Sequence, residues 1–218
     1  MRRVLFVLLL LAGAGCGTEP EQQAAPAGLP PNDTPQHAIQ RLIGVYEQRE
    51  YEEFAALLTG DFRFEFSELD PFLKQQWPEG WTAAEEESAA WHLFRGGRTA
   101  FGADVDAATS VDLRFASTLP VGETGRDTTF FKALATPVDG EIFVPNRYDP
   151  GNPTRFLIMG NSHRFFLVRG DSAQGLAAGQ PADSTRWYIR RWRDESQQLG
   201  APAGLKTSTW GSIKAAYR

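Results

Sequence analysis

Residues 34–66, TPQHAIQRLIGVYEQREYEEFAALLTGDFRFEF, contain the pattern that decides the fold. Thr34 followed by Pro35 is typical of a helix N-terminus, because the threonine hydroxyl caps free amides and proline suits the first turn. Apolar residues then recur every three or four positions, which predicts a helix from Pro35 and a second, shorter helix from about Glu50. From Asp61 the period changes to two, with phenylalanine at every second position, and this alternation predicts a half-buried strand.

The rest of the chain predicts a third helix, and then strands separated by loops. Thr82 and Glu85 have the spacing of a capping box, so we expect the third helix to begin there and to end at Gly96. Apolar patterns predict strands at residues 111–115, 128–134, 156–168 and 186–193. Gly160 and Asn161 interrupt the third of these, which indicates either a bulge in one long strand or a hairpin.

Turn-forming residues divide the strand region. Asp139 followed by Gly140 predicts a tight turn, and residues 145–153, PNRYDPGNP, have the composition of a loop. We therefore expect the chain to change direction at both places.

The C-terminal tail predicts a short amphipathic helix. Trp210, Ile213 and Tyr217 lie at helical spacing, and Ser208 or Thr209 precedes them as an N-cap. Because an exposed tryptophan would create an apolar patch, we expect this helix to dock on its own domain rather than on a partner.

The order of these elements resembles the cone-like α+β fold of the superfamily of nuclear transport factor 2 and ketosteroid isomerase. The resemblance is carried by TPQHAIQRL at residues 34–42, YEQREYEEFAALL at residues 46–58, DFRFEF at residues 61–66 and a closing W-x-I-x-x-W-x-D pattern at residues 187–194. It covers about residues 34–196, with residues 119–154 as an enlarged insertion, and it implies three helices packed on a curved antiparallel β-sheet. Enzymes, binding modules and assembly proteins share this scaffold, so the resemblance implies a fold and not an activity.

The N-terminal stretch MRRVLFVLLLLAGAGC has the layout of an export signal. Two arginines precede an apolar run of about ten residues, which is shorter than the roughly 20 residues that span a bilayer. The small residues before Cys16, the only cysteine, resemble the lipobox of bacterial lipoproteins, although Gly13 stands where that family has leucine. The resemblance implies cleavage before Cys16 and lipid attachment to its thiol. Alternatively, Ala12 and Ala14 form an A-x-A site, which would place cleavage before Gly15.

We therefore expect a lipoprotein-type signal peptide at residues 1–15, a flexible tether at residues 16–33, the folded domain at residues 34–196 and a tail at residues 197–218. The tether is rich in Pro, Gly, Ala and Gln, so it buries too little apolar surface to fold by itself. A lipid at Cys16 would hold the domain on a membrane of the bacterial cell envelope, facing away from the cytoplasm.

The charge of the chain restricts its partners. The sequence has 22 basic and 27 acidic residues, a net charge of −5, and loss of the leader removes two further positive charges. Nucleic acid is therefore excluded as a general partner. The four arginines of the closing strand, at positions 186, 190, 191 and 193, are interpreted as members of cross-strand ion pairs. The expected partners are the membrane, through the lipid at Cys16, and either a small apolar ligand or an envelope protein.

Proton transfer has two candidate residues. His92 lies beside Trp91 on the third helix, and a hydrogen-bonded histidine at a helix boundary is the structural alternative. Asp70 precedes Pro71, where an Asp-Pro turn is the structural alternative. The structural explanation is favoured for both, because no set of polar residues converges on them.

The other charged and metal-binding residue types indicate structural roles. Three glutamates at residues 85–87 stand in the first turn of the third helix, where the helix dipole and solvent explain them. The histidines His37, His92 and His163 lie on separate elements, and no pair has ligand spacing. We therefore expect neither a metal nor a cofactor.

Two functions of different classes remain open. The chain is either a membrane-tethered, non-catalytic binding or interaction module, or an isomerase- or hydratase-like enzyme that uses a pocket acid or histidine. The first is favoured by the absence of a convergent polar set. The two functions predict different contents for the space between the sheet and the helices. A binding module should have it filled by aromatic side chains, whereas an enzyme should have a cavity there with an acid or histidine at its wall.

Overall fold

The computed structural model describes residues 28–122, 125–146, 149–196 and 209–218. The leader, Cys16 and most of the tether lie outside the described residues. The helices are α1 Pro35–Gln48, α2 Tyr51–Ala55, α3 Pro71–Gln76, α4 Ala83–Arg95 and α5 Trp210–Tyr217. The strands are β1 Leu58–Glu65, β2 Trp81–Thr82, β3 Gly97–Arg98, β4 Asp104–Val105, β5 Ser110–Phe115, β6 Leu119–Val121, β7 Phe131–Val144, β8 Thr154–Arg169 and β9 Trp187–Asp194.

One curved sheet organises the described residues. Its strand order is β2-β1-β9-β8-β7-β5, with β6 also paired to β7. Every pairing is antiparallel except that of β1 with β9, which is parallel. The sheet and its helices confirm the α+β class, and the closing strand β9 lies in the middle of the sheet rather than at its edge.

The helix boundaries follow the local signals. The hydroxyl of Thr34 accepts a hydrogen bond from the backbone N–H of His37 at 3.0 Å, so the predicted cap of α1 is confirmed. Thr82 and Glu85 form both bonds of the predicted capping box at the start of α4. We expected three helices against the sheet, and the described residues form five α-helices, including α3 directly after Asp70.

Phenylalanine from β1 forms the inner face of the sheet. Phe62, Phe64 and Phe66 are all buried, and they share one core with residues of α1, α4 and α5. The predicted alternation is therefore confirmed. Glu65, on the opposite face, pairs with Arg191 of β9, which is the cross-strand pairing expected for the closing strand.

The predicted turn at Asp139 and Gly140 is wrong, because both residues lie inside β7. Met159 and Gly160 of β8 together oppose Asp139, so β8 is one long strand with a bulge. The carboxylate of Asp139 accepts a hydrogen bond from the N–H of Gly160 at 2.7 Å. A Cβ atom at Gly140 would lie 2.6 Å from the backbone oxygen of Asp112, so glycine allows a close approach of strands instead of a turn.

Residues 119–154 belong to the main sheet. They supply β6 and β7 and reach the first residue of β8.

None of the helices in the described part of the chain is long and apolar enough to cross a membrane.

Replacing Thr34 by alanine should lower the free energy of unfolding by about 1 kcal/mol, because one amide of the first turn of α1 loses its acceptor. Urea unfolding followed by circular dichroism measures this change. Thr34→Ser keeps the hydroxyl and should stay close to the wild-type value. Equal losses in both variants would contradict the capping role.

Candidate functional site

Helix α5 covers the space between the sheet and the other helices. Trp210, Ile213 and Tyr217 are all buried, which confirms that the tail helix docks on its own domain. The ring of Trp210 stacks on Trp192 of β9 at 5.9 Å and meets Tyr46 of α1 edge-on at 5.1 Å. Of the two predicted caps, Ser208 and Thr209, the N-cap is Thr209, whose hydroxyl accepts a hydrogen bond from the N–H of Ser212.

The last residue of the chain holds the other end of α5. Arg218 forms an ion pair with Glu85 at 2.7 Å, and its backbone oxygen accepts a hydrogen bond from the N–H of Ala100. Its guanidinium group also lies 5.0 Å from the ring centre of Trp77. Helix α5 is therefore attached to the domain at both ends as well as along its buried face.

A buried ion pair joins α5 to α4. The Lys214 ammonium donates a hydrogen bond to Oε1 of Glu86, and both side chains are almost completely inaccessible to solvent. Burial raises the pKa of the Glu86 carboxyl, and it lowers the pKa of the Lys214 ammonium to about 8. Their mutual attraction opposes both shifts. The interpretation of Glu86 as a solvated residue at the helix dipole is therefore wrong.

A histidine and an aspartate lie next to this pair. Nε1–H of Trp192 donates to Nδ1 of His163 at 3.1 Å, and Nε2 of His163 lies 3.7 Å from Oδ1 of Asp194. Burial lowers the pKa of His163 to about 4, although the charge of Asp194 opposes this shift. The imidazole is therefore neutral at pH 7. Because an indole can only donate, the imidazole proton sits on Nε2, which is buried near Asp194 without a hydrogen-bond partner among the described residues.

Asp194 connects the end of β9 to the start of α5. Its carboxylate accepts hydrogen bonds from the N–H of Ser196 at 3.0 Å and from the N–H of Gly211 at 3.3 Å. The second donor belongs to the first turn of α5, where free amides favour a negative charge. We call Glu86, His163, Asp194 and Lys214 the interior polar cluster.

The candidate residues from the sequence are not members of this cluster. Asp70 immediately precedes α3, and its carboxylate accepts a hydrogen bond from the hydroxyl of Thr209. Burial raises the pKa of Asp70, and the charge of Asp194, which is close enough to act on it, also raises it. His92 is half-buried on α4, six residues after Glu86 and thus on a different face of the helix. Cys16 lies outside the described residues.

No group of three side chains suited to hold a metal ion occurs within the described ranges. His37 lies at the surface beside Asp33, whereas His92 and His163 belong to α4 and β8.

Sequence reasoning missed the interior polar cluster, although part of its signal is present. Lys214 stands four residues after Trp210 and three before Tyr217, so it lies on the same buried face of α5. His163 alternates with Phe165 on the inner face of β8. The position of Glu86 has no such local signal, because its partner is 128 residues away.

A surface cavity of about 680 Å³ lies at the end of β1 and β9. Its apolar wall includes Phe66, Leu69 and Trp77, and the rings of Phe66 and Trp77 stack at 5.7 Å. At its rim Lys74 pairs with Glu68 and Arg193 pairs with Glu65, and Asp194 also contributes to the lining. The cavity therefore has an aromatic wall and a charged rim with more carboxylates than cations.

Comparison with known proteins gives a fold and no activity. No family model matches the chain, and no curated protein is significantly similar to it. A solved structure from Novosphingobium aromaticivorans, provisionally described as an aromatic ring hydroxylase, is similar with a TM-score of 0.51 and 8% identity over 82% of this chain and 92% of that one. This likeness shows a shared fold.

Two further solved structures are similar at lower scores. One, also from Novosphingobium aromaticivorans and provisionally described as a scytalone dehydratase, has a TM-score of 0.47 and 8% identity over 81% of this chain and 90% of that one. The other is a ketosteroid isomerase-like protein from Erwinia carotovora atroseptica, with a TM-score of 0.43 and 8% identity over 75% of this chain and 94% of that one.

The buried histidine should make stability depend on pH. The unfolded chain takes up a proton on His163 near pH 6.5, whereas the folded protein does so only near pH 4. Stability should therefore fall as pH decreases from 6.5 to 4, by about 3 kcal/mol from this residue.

The measurement is urea unfolding of wild type and His163→Asn across this range. Asparagine keeps an acceptor for Trp192 but does not titrate, so the variant should have the smaller slope. Identical slopes would contradict the assignment of a neutral, buried imidazole.

Proposed function

We propose that the chain is an exported bacterial lipoprotein whose domain, of the nuclear transport factor 2-like type, acts as a non-catalytic binding module. One observation carries the binding part of the proposal. Helix α5 buries the interior polar cluster beneath Trp210, while a cavity with an aromatic wall lies on the surface.

The anchor is inferred from the N-terminal sequence. Cys16 is the only cysteine and follows a short apolar run and small residues, and a lipid on its thiol gives that residue a role. The tether after it would then hold the domain at a distance from the membrane, outside the cytoplasm.

The surface cavity suits a small apolar molecule with a polar edge. Phe66 and Trp77 offer a stacked aromatic wall, and Leu69 is an exposed apolar side chain beside it. Glu68 and Glu65 at the rim are already paired with Lys74 and Arg193, so a ligand need not supply a counter-charge for them. A volume of about 680 Å³ lies in the usual range for small-molecule sites.

An isomerase- or hydratase-like enzyme is the second candidate, and the pair of His163 and Asp194 favours it. A neutral imidazole whose Nε2 lies 3.7 Å from a carboxylate oxygen resembles a general acid-base arrangement. Asp194 lies at the wall of the surface cavity, but both side chains are inaccessible to solvent and the Asp194 carboxylate already accepts hydrogen bonds from the amides of Ser196 and Gly211. The binding module is therefore the better-supported function.

The neutral fluorescent probe N-phenyl-1-naphthylamine tests the binding site. We expect its fluorescence to rise on binding to the wild-type protein, and Trp77→Ala to bind it about tenfold more weakly because the aromatic wall is lost. Trp91→Ala is the matched control, since Trp91 is 43% exposed on α4 and does not line the cavity. Equal binding by both variants would refute this site.

The anchor is tested by mass spectrometry of the mature N-terminus. We expect wild type to begin at Cys16 with a diacylglycerol attached and to fractionate with membranes. Cys16→Ser should lose both the lipid mass and the membrane association. A wild-type chain that begins at Gly15 without lipid would overturn this part of the proposal and leave the binding site untouched.

A further inference from the structure

The Lys214 ammonium occupies a site that three other elements of the domain build. Its Nζ lies 3.6 Å from the ring centre of Trp192 on β9 and 3.9 Å from that of Phe64 on β1. Glu86 of α4 supplies the carboxylate. These three partners are fully buried, so the ammonium lies between two aromatic faces and a carboxylate in a dry environment, with the Trp210 ring at 5.3 Å and the charge of Asp194 also acting on it.

This set of groups has the chemistry of a receptor for an organic cation. The faces of aromatic rings carry negative electrostatic potential and attract ammonium groups, most strongly where water is excluded. A carboxylate adds charge and accepts a hydrogen bond. The second carboxylate oxygen of Glu86 is buried and has no hydrogen-bond partner among the described residues. The site therefore offers more acceptor capacity than the Lys214 side chain uses.

Stability alone does not account for a cation at this position. Burying an ammonium and a carboxylate costs desolvation energy, and replacing such pairs by apolar side chains of similar size is often neutral or stabilising. Methionine at position 214 together with leucine at position 86 would fill the same space beside Phe64 and Trp192 without leaving one buried charge unpaired. The charged pair is thus better explained by recognition than by packing.

We propose that Phe64, Trp192 and Glu86 form a binding site for a primary alkylammonium group, and that Lys214 is its resident occupant within the chain. The site lies inside the domain, separate from the surface cavity, and does not depend on the function proposed for that cavity. Its ligand class is a linear primary amine in its protonated form.

Replacing Lys214 by alanine removes three carbon atoms and the ammonium nitrogen, which together are n-propylammonium. We expect n-propylammonium chloride to raise the melting temperature of Lys214→Ala in a saturable manner, by about 3 °C at a concentration about ten times Kd. Wild type, whose site holds Lys214, should show no shift beyond that of sodium chloride at the same ionic strength.

Three controls separate charge recognition from cavity filling. 1-Propanol has the same number of heavy atoms without the charge, and it should leave the melting temperature of Lys214→Ala unchanged. Lys214→Met fills the space and should not respond to n-propylammonium. The double variant Glu86→Gln/Lys214→Ala lacks the carboxylate and should bind n-propylammonium at least about tenfold more weakly.

The experiment still tests the proposal if Lys214→Ala is unfolded at 25 °C. In that case recovery of the native circular dichroism by n-propylammonium, and not by 1-propanol, supports the proposal. Equal effects of the amine and the alcohol, or no effect of the amine, would overturn it. The naphthylamine assay depends on Trp77, so its result is independent of this one.

Discussion

Trp192 connects every layer of the domain. From the middle of the sheet its ring meets Tyr46 of α1, Phe64 of β1, Phe165 of β8 and Trp210 of α5. Its only polar atom, Nε1, donates to Nδ1 of His163 and so fixes the tautomer of the neutral imidazole. The contacts of one side chain thus set both the packing of the interior and the ring nitrogen that carries the histidine proton.

The interior is dry but not apolar. Aromatic rings exclude water, and exclusion of water shifts the pKa of Lys214 and His163 downwards and that of Glu86 upwards. Lys214 of α5 pairs with Glu86 of α4, and the N–H of Gly211 in α5 donates a hydrogen bond to Asp194. The tail helix is therefore part of the interior of the domain and not a surface element.

Local patterns predicted the parts of the fold that local forces determine. The cap at Thr34, the capping box at Thr82 and the alternating phenylalanines of β1 depend on neighbours a few residues away, and all three were predicted. The burial of Glu86 depends on a distant lysine, so its place in the first turn of α4 pointed to solvent. Asp139 and Gly140 have turn chemistry, yet pairing along β7 and β8 overrides it.

The position of β9 also bears on how the chain reaches its folded state. β9 lies between β1 and β8, so the sheet stays in two parts until almost the whole domain is available. Contacts between β1 and β9 join residues far apart in sequence, and such contacts form slowly. A chain cut before residue 187 would therefore retain two separate pieces of sheet, β2-β1 and β8-β7-β5, with no strand to join them.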